Sequence, residues 1–364
     1  MKPSREILPN QKVVLSEVAR LRDCIREAML QESRSMWLDL ILEVFRFQAE
    51  SNPVYQKYVH LMGVDVSRIQ RIEDIPFLPV ELFQRHRISV FRSKDQDANC
   101  FMSSGTTGST PSQHPIDDLA WYDELAAAGF ERLVTSWKNQ PHFVGLLPGY
   151  LERNNSSLVH MMQSFMRKAG QTQPEDWFFL HDFEALEKRL LKKYDEGHPP
   201  DQPIFIVGVT HALLKLADRV KRQVSRPAWL KLPLYVIETG GMKGQGKEQI
   251  RAEVHKVLAV LSEGRAIGSE YGMTELLSQA WSGGAGIFSC PPWMEVRMGA
   301  LNDPKGWVSP GKQGRIHVVD LANVSTCAFL ATSDIGRCFE DGSFEVLGRF
   351  DHADVRGCNL MAID

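Results

Sequence analysis

The sequence predicts an α/β protein whose layered, largely parallel sheet is followed by a small β subdomain. From residue 143 onward, apolar strand-like runs alternate with segments of helical spacing, a pattern typical of such sheets. The run Ile204–Val209 is apolar throughout, as expected for a parallel strand that is buried on both faces. After about residue 285 the pattern changes to short strands separated by Gly and Pro turns, which indicates a small β sheet or barrel.

The elements are predicted from this periodicity. Residues 12–62 have helical spacing that Asn52-Pro53 interrupts, and the extended connector Ile75–Pro79 leads into Glu81–His86. The alternating part contains a strand at Phe143–Leu147, a helix at Ser157–Ala169, a strand at Trp177–Leu180, a helix at Phe183–Tyr194, the strand Ile204–Val209, a helix at His211–Arg222 capped by Thr210, a strand at Leu234–Ile237, a helix at Lys247–Leu261 and a strand reaching Gly268.

Four short strands are predicted in the last part, at Met294–Met298, Arg315–Asp320, Ala328–Thr332 and Phe344–Leu347. The chain therefore divides into a helical part (1–95), an α/β core (96–285), a small β subdomain (286–350) and a short tail (351–364). Because ligands of open α/β sheets bind at the carboxyl ends of the strands, we expect Thr210, Gly240 and Tyr271 to lie at the binding edge.

Composition and charge exclude several classes of protein. Of the 364 residues, 43% are hydrophobic and 24% charged, and 42 basic against 45 acidic residues give a net charge of −3, so nothing predicts binding to nucleic acid or to an anionic membrane. The sequence has no signal-peptide pattern and no membrane span, so we expect a cytoplasmic protein. The six cysteines form no CxxC pair, which argues against structural zinc and fits a reducing compartment.

The stretch Ser103–Pro111 (SSGTTGSTP) combines six hydroxyl side chains with two glycines. Glycine lets backbone amides approach a ligand, and hydroxyl groups donate to phosphate oxygens. The stretch alone is equally compatible with a flexible linker or an exposed turn. Two other segments, Gly241–Lys247 and Gly306–Lys312, imitate a Walker loop but lack its magnesium-binding Ser or Thr, so we reject both.

Three further segments carry polar groups suited to a nucleotide. Gly268–Glu275 (GSEYGMTE) offers an aromatic ring, hydroxyls and carboxylates, although taken alone it reads as a turn with a half-buried Tyr. Thr332–Gly336 (TSDIG) contains a carboxylate able to accept both hydroxyls of a ribose. Gly348–Asp351 (GRFD) places an Arg and an Asp in a turn.

In this order the segments resemble the motifs of the adenylate-forming superfamily, which includes acyl-CoA synthetases, luciferases and adenylation domains. The resemblance spans about residues 100–357 and implies the fold of that superfamily's large N-terminal domain. The implied ligands are ATP and Mg²⁺. Matched position by position, the implied contacts are Ser104, Thr106, Thr107 and Gly108 with the phosphates, Gly240, Gly241 and Tyr271 with adenine, Thr274 with the α-phosphate, Glu275 with Mg²⁺, and Asp334, with Arg349 close by, with ribose.

The chain departs from the superfamily pattern in two places. Ser112 follows Pro111 where a lysine is usual, so one phosphate-facing cation is absent; His114 is a weak substitute and is more simply a surface turn residue. We also expect the mobile C-terminal cap domain, with its catalytic lysine, to be lacking.

The segments Phe77–Phe83, Leu147–Ser157 and Asp351–Met361 resemble, more closely, the acyl-protein synthetases of bacterial luminescence fatty-acid reductase complexes. That resemblance implies a fatty acid substrate, an acyl thioester on Cys358 and transfer to a reductase partner. Arg356 and Arg349 are suited to lowering the pKa of this thiol, whereas a small buried hydrophobe is the alternative role. The other cysteines, Cys24, Cys100, Cys290, Cys327 and Cys338, are interpreted as structural.

The sequence leaves two alternative functions open. One is a ligase that acylates CoA or a carrier protein, with Cys358 incidental, and the other is a non-catalytic nucleotide-binding scaffold. His181, His211 and Trp281 are candidates for lining the acyl pocket, but core or capping roles explain them equally well.

Overall fold

A computed structural model describes residues 9–31, 34–92, 99–104, 110–148, 153, 155–240, 251–303 and 305–349. Five of the predicted site residues, Thr106, Thr107, Gly108, Gly241 and Cys358, lie outside these ranges. The chain forms two compact units, one from Met1–Gln96 together with Pro292–Asp364 and the other from Asp97–Pro291. We call them the split unit and the central unit.

The helices and strands of the two units have the following bounds. The helices are α1 (Pro9–Gln31), α2 (Arg34–Ser51), α3 (Pro53–Leu61), α4 (Leu119–Leu133), α5 (Ser157–Lys168), α6 (Phe183–Asp195), α7 (Thr210–Arg222) and α8 (Arg251–Leu258). The strands are β1 (Leu78–Pro79), β2 (Asn99–Met102), β3 (Gln113–Ile116), β4 (His142–Leu146), β5 (Ile204–Gly208), β6 (Leu234–Glu238), β7 (Gly268–Tyr271), β8 (Ala280–Ser282), β9 (Ile287–Phe288), β10 (Met294–Gly299), β11 (Gln313–Asp320), β12 (Phe329–Cys338) and β13 (Phe344–Arg349).

The central unit is built on a sheet of order β4-β5-β6-β7-β8, parallel except for β8. Alternate residues of β5 serve opposite faces. Ile204 and Ile206 join the apolar core formed with α6, α7 and α8. Phe205 instead packs with Phe130 and Phe143, at ring-centroid distances of 5.3 and 5.6 Å. Burial on both faces explains the apolar run and confirms the predicted α/β architecture.

The carboxyl ends of β5, β6 and β7 meet at one edge, because Gly208 pairs with Glu238 and Glu238 pairs with Ser269. Thr210, Gly240 and Tyr271 lie at or just beyond these ends, as predicted. We call this the carboxyl edge.

The split unit joins the N-terminal helices to the late strands, a long-range association that chain order alone does not predict. Its strands run in the order β10-β11-β12-β13, antiparallel, and β1 pairs parallel to β12. Gln48 of α2 donates to the carbonyl oxygens of Asn323 and Val324 at 2.7 and 2.9 Å. Asn52 caps α3 and donates to Thr326 O at 2.8 Å. These buried amides fix the helices to the β11–β12 connection.

Two local predictions were wrong. Trp177–Leu180 is not a strand: a 3₁₀ turn covers Pro174–Trp177, and Phe178 makes only an isolated bridge to Gly145. Thr210 does not cap a helix but begins α7, and its hydroxyl donates a hydrogen bond to Glu238. No helix in the described residues is long and apolar enough to cross a membrane.

Candidate active site

The predicted phosphate stretch lies at the tip of a β-hairpin. β2 and β3 pair antiparallel, with Phe101 opposite His114 and Met102 opposite Gln113. Beyond the last pair, Ser103 N–H donates to Ser112 O at 3.1 Å, and Ser112 N–H donates to the Ser103 hydroxyl at 2.9 Å. We call Ser103, Ser104 and Ser112 the stem. Because Ser103 and Ser112 are bonded to each other, the stretch connects two paired strands of the central unit and is not an interdomain linker.

His114 occupies the interior, and its predicted surface position was wrong. Its side chain is fully buried, and its Nδ1 lies 2.7 Å from the carbonyl oxygen of Thr274. A carbonyl only accepts, so Nδ1 carries the proton. Burial lowers the pKa of His114 to about 4, so the ring is neutral at pH 7. The hairpin is thereby bonded to the turn that carries Thr274 and Glu275.

Glu238, at the end of β6, is the hub of the carboxyl edge. Its Oε2 accepts from the Thr210 hydroxyl at 3.0 Å and from Gly240 N–H at 2.9 Å. Its Oε1 accepts from Arg251 Nε at 3.0 Å and from the Ser269 hydroxyl at 2.8 Å. Burial alone raises the pKa of Glu238, but hydrogen bonding and the Arg251 charge outweigh it and hold the pKa at about 2.

This network fixes the conformation of Gly240. The residue has φ of +72°, and a Cβ placed on it would meet no atom within 4 Å among the described residues. Thr210 also bonds the Gly240 carbonyl through its backbone N–H at 2.8 Å. The positive φ explains the glycine. The sequence analysis indicated the glycines but not Glu238. The available signal was its position as an acidic residue at the end of an apolar strand.

Tyr271, Thr274 and Glu275 follow one another at the end of β7. The Tyr271 ring is largely buried, with its centroid 6.0 Å from that of Phe288 in an edge-on arrangement. Glu275 is buried to 8% exposure. No group of three or more His, Cys, Asp or Glu side chains suited to a metal occurs in the described residues. A single carboxylate fits Mg²⁺, which commonly binds one or two carboxylates together with substrate phosphates.

Glu270, which precedes Tyr271, is a partly buried acid that the sequence did not single out. Burial, with the nearby charge of Glu238, raises the pKa of Glu270 to about 8. A Cβ at Gly272 would require the Glu270 carboxyl group to shift. Glu270 pairs across the sheet with Trp281, whose ring packs against Phe130 of α4, so Glu270 lies on the α4–α5 side of the sheet. Glu238 and Ser269 pair with each other and face the opposite side.

Asp334 and Arg349 lie in the split unit, opposite each other on β12 and β13. Arg349 Nε donates to Asp334 Oδ1 at 3.2 Å, so the predicted proximity of the two side chains is present. Asp334 N–H donates to the Thr332 hydroxyl at 3.1 Å, which fixes the backbone at this position. The Asp334 carboxylate therefore lies on a strand beside the Arg349 guanidinium, and its oxygens are able to accept hydrogen bonds from hydroxyl groups.

The structure also shows the surroundings of the candidate pocket residues and of the cysteines. Trp281 packs its ring against Phe130, with centroids 5.3 Å apart, which favours the core role. His181 is exposed. Among the cysteines, Cys327 is buried, which raises its pKa to about 12. Cys100 is exposed.

Comparison with protein families matches residues 25–363 to the family described as "Acyl-protein synthetase, LuxE". The chain belongs to this family. Solved structures of 2-hydroxyisobutyryl-CoA ligase have the same fold. Its postadenylation state with 2-HIB-AMP is 14% identical, with a TM-score of 0.62 and coverage of 88% of this chain and 68% of that one. Its open conformation with 2-HIB-AMP and CoA is also 14% identical, with a TM-score of 0.61 and coverage of 88% and 76%.

The central and split units thus have the fold of the N-terminal domain of adenylate-forming enzymes. Comparison with curated proteins by sequence finds no match. Family membership and the shared fold together support a ligase of the adenylate-forming type.

Proposed function

We propose that this protein uses ATP to convert a fatty acid into an acyl adenylate, and then transfers the acyl group to the thiol of Cys358. The match of residues 25–363 to the acyl-protein synthetase family carries the proposal. It is supported by the carboxyl edge, where Glu238 accepts from Gly240 N–H, and by the bond through which His114 connects the hairpin to the turn that carries Thr274 and Glu275.

In the first step a carboxylate oxygen of the fatty acid attacks the α-phosphorus of ATP, and pyrophosphate leaves. Ser104, Thr106, Thr107 and Gly108 hold the phosphates, and Thr274 contacts the α-phosphate. Gly240, Gly241 and Tyr271 contact adenine, while Asp334 binds the ribose hydroxyls beside Arg349. Glu275 would hold Mg²⁺, which would supply neutralisation of the charge on the phosphates. Catalysis of this kind consists mainly of positioning and charge neutralisation.

In the second step the thiolate of Cys358 attacks the acyl carbon, and AMP leaves as the C–O bond breaks. The product is an acyl thioester on the protein. A thioester is readily reduced, and we propose that a reductase protein receives the acyl group from Cys358.

Exchange of labelled pyrophosphate into ATP tests the first step. We expect exchange that requires both Mg²⁺ and an added acid, is fastest with fatty acids in a panel of fatty, aromatic and short acids, and is abolished in Glu275→Ala. No exchange with any acid would instead support a nucleotide-binding scaffold. Exchange with a soluble thiol as the only acyl acceptor would support a CoA or carrier-protein ligase.

A further inference from the structure

The hairpin that carries the phosphate stretch has no cation of its own. Residues 99–118 contain no Lys or Arg. Ser112 is only 3% exposed, and both its N–H and its carbonyl oxygen are hydrogen-bonded to Ser103. A side chain at this position is enclosed by protein, so a long cationic residue would not fit here without displacing the stem.

Arg153 brings a guanidinium to the same hairpin from another segment. Its Nη2 donates to the Met102 carbonyl at 3.3 Å. Two residues further on, Asn155 O accepts from Met102 N–H at 2.8 Å. The two Met102 atoms, its carbonyl oxygen and its N–H, thus bond to this segment, and Met102 directly precedes the stem. The segment containing Arg153 is thus bonded to the end of β2, where the stretch begins.

Among the described residues, no carboxylate forms an ion pair with Arg153. Its side chain is partly buried, and its Nη2 donates to the Met102 carbonyl oxygen. A partly buried cation without a counter-ion is costly unless an anion is bound beside it. A guanidinium has five N–H donors in a rigid fork, so one bond to a carbonyl leaves several for phosphate oxygens.

We infer that Arg153 is the phosphate-binding cation of this protein, and that it contacts the β- and γ-phosphates of ATP and the pyrophosphate that leaves. The inference rests on the proposed function. When the carboxylate oxygen bonds to the α-phosphorus, the bond from that phosphorus to the bridging oxygen breaks. The electron pair stays with pyrophosphate, whose charge increases. A guanidinium held by the Met102 carbonyl offsets this charge without having to reorganise.

Pyrophosphate exchange in Arg153→Met and Arg153→Lys tests this role. We expect Arg153→Met to raise the KM for ATP and for pyrophosphate by about 10- to 100-fold and to lower kcat, the range for losing hydrogen bonds between charged groups. Arg153→Lys should retain part of the activity. The matched control is Arg167→Met, which removes an exposed arginine from the last turn of α5 and should leave exchange unchanged.

A ligand without the β- and γ-phosphates separates this role from a structural one. Arg153→Met should bind a non-hydrolysable acyl-adenylate analogue with wild-type Kd, and guanidinium ions should partly restore exchange in Arg153→Ala. Exchange in Arg153→Met equal to that in Arg167→Met would overturn the inference, as would an equal loss of analogue binding. If the wild-type protein itself catalyses no exchange with any acid, the proposed function fails, and this inference fails with it.

Discussion

His114 Nδ1 donates to the carbonyl oxygen of Thr274 over 2.7 Å, and so connects the hairpin bearing the phosphate stretch to the turn bearing Thr274 and Glu275. These two segments are 160 residues apart in sequence. Both supply proposed contacts to the same triphosphate, so their relative position determines whether the α-phosphate meets its ligands. The neutral, buried ring makes this connection rigid.

Removing the donor at position 114 should slow adenylation. In His114→Val the Thr274 carbonyl loses this donor, and we expect exchange to fall by about 10- to 100-fold and the free energy of unfolding by about 1–3 kcal/mol. His114→Asn places an amide nitrogen near the position of Nδ1 and should keep more of both. Exchange kinetics and urea unfolding at one pH measure the two effects. Wild-type exchange in a folded His114→Val would contradict the positioning role.

The same pair gives a pH dependence. The pKa of His114 falls from 6.5 to about 4 on folding, so between these values the unfolded chain binds more protons than the folded one. Stability from this group is therefore complete above pH 6.5 and is lost as the pH falls toward 4. We expect the stability difference between wild type and His114→Asn to shrink over this window in urea titrations. A constant difference would mean that the ring is not buried in its neutral form.

Glu238→Gln should disturb the adenine contact more than the overall fold. The amide group of glutamine would replace one carboxylate oxygen and face two donors, either Thr210 and Gly240 or Arg251 and Ser269. We expect the KM for ATP to rise by about 10- to 100-fold as Gly240 is released. The control is Glu253→Gln, an exposed acid on α8. An unchanged KM for ATP would refute the hub role of Glu238.

Glu270→Gln should stabilise the protein at alkaline pH. The pKa of Glu270 rises from 4.5 to about 8 on folding, so the folded chain holds a proton that the unfolded chain has released. The wild-type free energy of unfolding therefore declines between pH 4.5 and 8 through this group. Relative to the exposed control Glu131→Gln, thermal unfolding at pH 8 should show a Tm higher by about 2–4 °C. A lower Tm at pH 8 would contradict this prediction.

Asp334→Asn should weaken recognition of ribose. If the carboxylate accepts ribose hydroxyls, its loss should raise the KM for ATP by about 10-fold or more, while the KM for 2′-deoxy-ATP or 3′-deoxy-ATP changes less. Glu340→Gln, an exposed acid near the end of β12, is the control. Equal effects on ATP and on both deoxy analogues would show that Asp334 does not contact the sugar.

The sequence predicted the layers, the carboxyl edge and the pairing of Asp334 with Arg349, because hydrophobic periodicity and motif order are local signals. It did not predict His114, whose burial depends on contact with a turn 160 residues away. Glu238 was missed for a similar reason. It accepts hydrogen bonds from Thr210, Gly240, Arg251 and Ser269, and of these only Gly240 lies close to it in sequence.

Covalent labelling of Cys358 tests the proposed function most directly. The protein is incubated with ATP, Mg²⁺ and radiolabelled fatty acid, then denatured, and the retained label is treated with hydroxylamine. We expect hydroxylamine-sensitive label in wild type and in Cys100→Ser, which removes an exposed thiol, and none in Cys358→Ser, while the wild type and both variants exchange pyrophosphate. Label that persists in Cys358→Ser, or exchange without any protein-bound label in wild type, would contradict transfer to Cys358.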